Sequence, residues 1–129
     1  MPTLHKLTIC KRFHFDAAHH LPNYKGKCHN PHGHRWYLEV ELSGDTISFG
    51  PKTGMILDFS DLKNIVESAV LNWYDHSDIN ERIDNPTAEN MVIIFVKHLQ
   101  QEIKLRTNDV ILEELRLYET DDSFVRWRR

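Results

Sequence analysis

Long apolar runs are missing from this chain. The longest, MVIIFV (Met91–Val96), falls far short of the roughly 18 residues that a membrane-spanning helix needs, so no membrane partner is expected. The segment MPTLHKLTICKRF has no continuous apolar core, which argues against a secretory signal peptide. Cysteine is scarce too. Cys10 and Cys28 are the only two, too few for a disulfide framework. These absences point to a cytoplasmic protein with reduced thiols. Nor is there an excess of positive charge. The net charge is −3, so no overall field recruits nucleic acid. The basic stretch RWRR (Arg126–Arg129) reads as a solvated chain end.

What is present fits a single soluble domain spanning residues 1–129, with 40% hydrophobic and 27% charged residues. There is no repeat, linker or low-complexity segment. Nine histidines are the compositional excess, a hint of metal or proton chemistry.

Alternation from about Leu4 to Ala17 predicts a strand that buries Leu7, Ile9, Phe13, Phe15 and Ala17 on one face. Trp36, Leu38, Val40 and Leu42 alternate with Arg35, Tyr37, Glu39 and Glu41 and predict a second. The period then changes. Leu62, Ile65, Val66, Ala69, Val70 and Trp73 keep the spacing of an amphipathic helix that Asp58 or Ser60 can cap. A second helix starts at Asn85 or Thr87 and buries Met91, Ile94, Phe95, His98 and Leu99. Val110–Glu119 and SFVRWR, joined at TDD, predict a closing hairpin. The order β-β-α-α-β-β suggests an α+β fold: four antiparallel strands with both helices on one face.

Parity decides which histidines can meet. His32 and His34 continue the face of Trp36, and His19 continues that of Phe15. If the first two strands form a hairpin, these three imidazoles share one end and one face. His14 and His20 have the opposite parity. Three imidazoles without an obvious fourth protein ligand suggest an open zinc site. HGHRWYLE also has the HxH-x4-E spacing of cupin metal sites, but Glu39 has the wrong parity unless the strand bulges, and two long helices suit a jelly roll poorly.

Cys28 sits in the loop feeding this end, flanked by Lys25, Lys27 and His29, an electropositive setting of the kind that favours a reactive thiolate. The alternative is a fourth ligand, which would close the site, or an inert loop thiol. Cys10, within a strand, reads as a packing residue. Asp75 and His76 form either a proton relay or ordinary loop. Glu119 shares parity with Leu115 and Leu117, so a carboxylate closes a half-buried strand, facing either a ligand or a salt-bridge partner.

Six blocks in order, FDAAHHLP, CHNPHGH, GMILDFSDLK, YDHSDIN, NPTAEN and LYET, resemble the 6-pyruvoyltetrahydropterin synthase family over nearly the whole chain. The resemblance implies the tunnelling fold, with subunits assembled through their sheets into a homohexamer of two trimers and active sites at subunit boundaries. It implies Zn²⁺ on His19, His32 and His34, Cys28 as general base, Asp75 and His76 as its relay, and Glu119 and Thr87 against a pterin. The compact spacing between Cys28 and the HGH pair resembles the bacterial and archaeal carboxy branch rather than the animal enzymes. That branch implies conversion of 7,8-dihydroneopterin triphosphate to 6-carboxytetrahydropterin, releasing acetaldehyde and triphosphate, in queuosine biosynthesis. The alternatives are the pyruvoyl activity and a non-catalytic zinc-binding module. Tyr74, where the family commonly has leucine, and the HRW that follows Gly33 depart from its pattern.

Overall fold

The computed structural model describes residues 7–129, and the expected strand start at Leu4 lies outside them. Strands β1 (Thr8–His19) and β2 (His32–Gly44) pair antiparallel from Thr8↔Ser43 to His19↔His32. β4 (Val110–Thr120) adds to β2, and β5 (Ser123–Arg128) adds to β4 through the two-residue turn at Asp121 and Asp122. With a short strand β3 (Ser77–Asp78), the sheet order is β3-β1-β2-β4-β5. The expected four antiparallel strands are therefore five. β3 is only Ser77–Asp78 and runs parallel to β1 beside Ala17 and Ala18. Two residues carry no periodic signal. What makes them a strand is docking of the preceding turn on β1.

One sheet face is apolar because every second residue on it is. Phe15, Trp36, Leu38, Val40, Leu42, Leu115 and Leu117 are completely buried. Phe15 stacks on Trp36 with centroids 6.1 Å apart and meets Phe95 edge-on at 5.9 Å, joining sheet to helix. Each such side chain contributes roughly 1.5–3 kcal/mol of apolar burial. Burial in β1 begins only at Phe13. Leu7 is exposed and Ile9 is half-buried, packed against the edge of the core. Cys10, expected to pack, is exposed on the opposite face. That face is polar and aromatic, with the Arg12 guanidinium 4.1 Å from the Tyr37 ring.

α1 (Phe59–Val66) is capped by Asp58, which accepts from the Ser60 amide at 2.9 Å. It continues through a π turn, Glu67–Leu71, into α2 (Asn72–Tyr74). The π turn corrects the expected burial of Trp73. One extra residue turns the following side chains by about 100°. Tyr74 thereby rotates into the core at 2% exposure, while Trp73 stands 49% exposed beneath the Arg82 guanidinium. α3 (Ala88–Arg106) starts at Thr87, whose hydroxyl accepts from the Asn90 amide. Its buried stripe is Met91, Val92, Phe95, Val96, Leu99 and Ile103. Ile94 and His98, expected within it, lie at its margin because the stripe is rotated toward Val92 and Val96. The RWRR end is no loose terminus. Arg126 and Arg128 belong to β5, Arg128 pairs with Glu114 at 3.2 Å, and Arg129 pairs with Glu113 at 3.1 Å.

Candidate metal centre

The β1–β2 register puts His19 directly opposite His32, and strand alternation carries His34 to the same face. Their ring centroids lie 4.6 Å (His19–His32), 4.8 Å (His32–His34) and 5.2 Å (His19–His34) apart. Trp36 forms the floor, 4.9 Å from the His19 ring and 5.3 Å from that of His34. The parity argument thus brings the right three histidines together. His14 and His20 lie outside the cluster.

Sequence reasoning singled out Glu119 as a pterin contact and not as the fourth member of this cluster. Glu119 Oε1 lies 3.2 Å from His34 Nε2 and 3.8 Å from His19 Nε2. Ligand atoms of His19, His32, His34 and Glu119 all lie within 4.8 Å of one another. Parity was the available signal, but its use depends on a bulge. Glu41 pairs with Glu114 while Leu42 pairs with Leu112, which leaves Glu113 as an extra residue. Inward positions switch there from Val110 and Leu112 to Leu115, Leu117 and Glu119.

Backbone carbonyls orient two of the rings. His19 Nδ1 donates to the Pro86 carbonyl at 2.8 Å, and His32 Nδ1 donates to the Asn30 carbonyl at 2.8 Å. A carbonyl only accepts, so each Nδ1 carries the proton and each Nε2 keeps its lone pair. Asn80 clamps the chain just past His19, accepting from the His20 amide at 2.9 Å and donating to its carbonyl at 3.0 Å. Pro86, Asn30 and Asn80 were not anticipated. They lie within recognised blocks, but nothing in their spacing marks them as supports.

Do these residues fit a metal ion? Nε2 of His19 and of His34 is buried and has no hydrogen-bond partner among the described residues. The 3.2 Å approach of Glu119 to His34 brings charge close without hydrogen-bond geometry. An orphaned buried nitrogen is costly, and a bound cation would satisfy both. Three imidazoles and a carboxylate are a donor set suited to zinc.

Burial holds the His19 and His34 imidazoles below their ordinary value of 6.5, outweighing the nearby Glu119 charge. Both therefore favour the neutral, ligating form. The unfolded chain then binds more protons than the folded one between the lowered folded values and 6.5. Metal-free protein is expected to keep this stability above the unfolded value and lose it as pH falls through the folded values. Urea midpoints of chelator-treated protein at about pH 7.5 and about 5.5 check this. A flat profile, with acidic groups accounted for by a His19→Gln/His34→Gln control, contradicts it.

Asp75 and His76 form a separate cluster with Asp16. Asp75 Oδ1 accepts from the Asp16 amide at 2.9 Å, and the His76 amide donates to the Asp16 carbonyl at 2.6 Å. His76 takes φ 60°, the left-handed region that non-glycine residues seldom adopt, and its Nδ1 lies 3.1 Å from Asp75 Oδ2. Arg35 forks onto the Asp16 carboxylate at 2.8 and 3.0 Å. Cys28 is half-buried on a 3-10 turn, Lys27–His29, whose backbone is tied back by the Leu21 amide at 2.7 Å. Its thiol belongs to neither cluster. Thr87 caps α3, one residue after the carbonyl that holds His19.

Fold and cluster together define a class: an α+β protein with three histidines and a carboxylate converging at one end of an antiparallel hairpin. The sequence pattern of 6-pyruvoyl tetrahydropterin synthase matches residues 8–129. The 6-carboxy-5,6,7,8-tetrahydropterin synthase of Haemophilus influenzae is 35% identical, over 93% of this chain and 97% of its own. The 6-pyruvoyl tetrahydrobiopterin synthase of Pongo abelii is 31% identical, over 91% and 88%. In structure, the 6-pyruvoyl tetrahydropterin synthase of Caenorhabditis elegans superposes with a TM-score of 0.80 at 24% identity, over 100% of this chain and 99% of that one. The chain belongs to the 6-pyruvoyl tetrahydropterin synthase family and has its tunnelling fold.

Proposed function

We propose that the protein is a zinc-dependent lyase. In this reading it converts 7,8-dihydroneopterin triphosphate and one water to 6-carboxy-5,6,7,8-tetrahydropterin, releasing acetaldehyde and triphosphate, in the cytoplasmic route to queuosine. The observation that carries this reading is the histidine cluster, with two buried ring nitrogens that no protein group satisfies. The compact Cys28–His32 spacing and the Haemophilus relative support the carboxy branch.

His19, His32 and His34 would hold the zinc. Bound there, zinc supplies Lewis acidity to the substrate side chain. Cys28, as thiolate, takes a proton from one carbon and returns it to another. Asp75 orients His76, and His76 exchanges that proton with solvent. The Glu119 carboxylate accepts two parallel hydrogen bonds from the guanidine-like edge of the pterin, and Thr87 adds a contact. The redox change stays within the substrate, so no nicotinamide or flavin is required.

Asp75–His76 and Cys28 occupy separate places in one chain, which suits an active site completed between subunits of a homohexamer. Two edge features favour assembly. The outer edge of β1 is paired to β3 only at Ala17 and Ala18, and β5 forms the other edge of the sheet. Among the described residues no helix is long and apolar enough to cross a membrane.

Product analysis with dihydroneopterin triphosphate tests the reading. Acetaldehyde with carboxypterin supports it. Pyruvoylpterin would move the protein to the activity named for the Pongo relative. No conversion by the zinc-loaded protein would leave a binding module.

A further inference from the structure

We infer that Glu119 is an exchangeable ligand: its carboxylate fills the fourth place of the metal centre in the resting protein and leaves it when a pterin enters. This rests on the proposed pterin reading and adds the resting state to it.

The geometry is specific. Ligand atoms around a zinc-sized ion at bond lengths of roughly 2.0–2.2 Å stand roughly 3.3–3.6 Å apart when tetrahedral. Glu119 Oε1 stands 3.2 Å from His34 Nε2 and 3.8 Å from His19 Nε2, which brackets that edge. At His19, protein contacts alone do not explain such an approach. His19 Nδ1 gives its proton to the Pro86 carbonyl, so His19 Nε2 presents a lone pair to a carboxylate oxygen. Two acceptors facing each other in a buried site repel, and a cation between them turns that repulsion into two bonds. Glu119 also has the freedom to leave. Its side chain is 31% exposed against 2% for His19, and it lies one residue from Thr120, at the end of β4. The histidines form the fixed part, two of them pinned by carbonyls, and the carboxylate is the movable part.

Exchange needs no redox partner. With a metal held by His19, His32 and His34, the Glu119 carboxylate would give up its place to a neutral oxygen donor of the pterin side chain and would accept hydrogen bonds from the pterin ring.

Cobalt(II) in place of the native ion reports coordination directly. Cobalt-loaded wild type should give an intense four-coordinate visible spectrum that changes on saturation with neopterin. Glu119→Gln and Glu119→Ala should hold cobalt at least about tenfold more weakly in chelator competition. Their resting spectra should differ from wild type and respond little to neopterin. Spectra and affinities equal to wild type in both variants would overturn the inference. If neopterin binding is nonetheless weakened in Glu119→Gln, the pterin-anchor reading survives alone. Weaker cobalt binding with unchanged neopterin affinity would make Glu119 a fixed ligand, overturning both the exchange and the anchor. Thermal melts of the metal-free variants confirm that each is folded.

Discussion

His19→Ala is expected to strip the protein of nearly all its zinc. Wild type should hold about one ion per chain, because three imidazoles and a carboxylate form one nest. Loss of an outer hydrogen-bond partner of such a ligand already costs roughly 10–100-fold in affinity, so loss of a ligand should cost more than about 100-fold. His19 is the most deeply placed of the cluster, 2% exposed, oriented by Pro86 and backed by Trp36. His20 follows with the opposite parity and is not part of the cluster. Truncation also leaves a buried hole, so folding must be checked by circular dichroism. His34→Ala, at a position 21% exposed, is the second variant and should lose metal with less damage. His20→Ala should keep wild-type zinc. Atomic absorption after gel filtration reads the result. Full zinc content in His19→Ala and His34→Ala would remove the metal assignment.

The second large effect belongs to Cys28. Cys28→Ala should keep both fold and zinc and lose turnover by about 10²–10⁴-fold, the usual contribution of a general base. Retention of zinc follows from the geometry, because the fourth ligand atom near the imidazoles is a Glu119 oxygen and not a thiol. Retention of fold follows from the site. Cys28 lies half-buried on a short turn held by backbone bonds, so truncation opens no core cavity. Cys10→Ala, on the exposed sheet face, serves as the control and should leave the rate unchanged. Zinc loss in Cys28→Ala would make the thiol a ligand. An unchanged rate would send the search for the base elsewhere.

Much of this was legible because two periods carry it. Alternation in HFDAAH and HGHRWYLEVEL predicted the hairpin, and because a strand has only two faces it also predicted which imidazoles meet. Cap chemistry was equally local: Asp58 and Thr87 begin the helices where residue type allowed. The misses have a common cause. Trp73 was expected inside because a helical spacing extrapolates at constant phase, and the π turn at Glu67–Leu71 breaks that phase. Ser77–Asp78 is a strand because Asp75 and His76 dock on the backbone of Asp16, an event about sixty residues away in the chain.

Sequence by itself determined the family, the α+β order, the faces of the first two strands and the identity of the three histidines. These depend on residue type at short spacing, where strand and helix geometry act directly. Tertiary structure alone decided that Glu119 completes the cluster and that Pro86 and Asn30 set the tautomers. It also decided that Asp75–His76 is anchored on the β1 edge, apart from Cys28. Each of these depends on a bulge, a carbonyl direction or a strand edge. Such features are fixed by packing and by the need to satisfy every buried polar group across distant segments, and local periodicity contains no record of them.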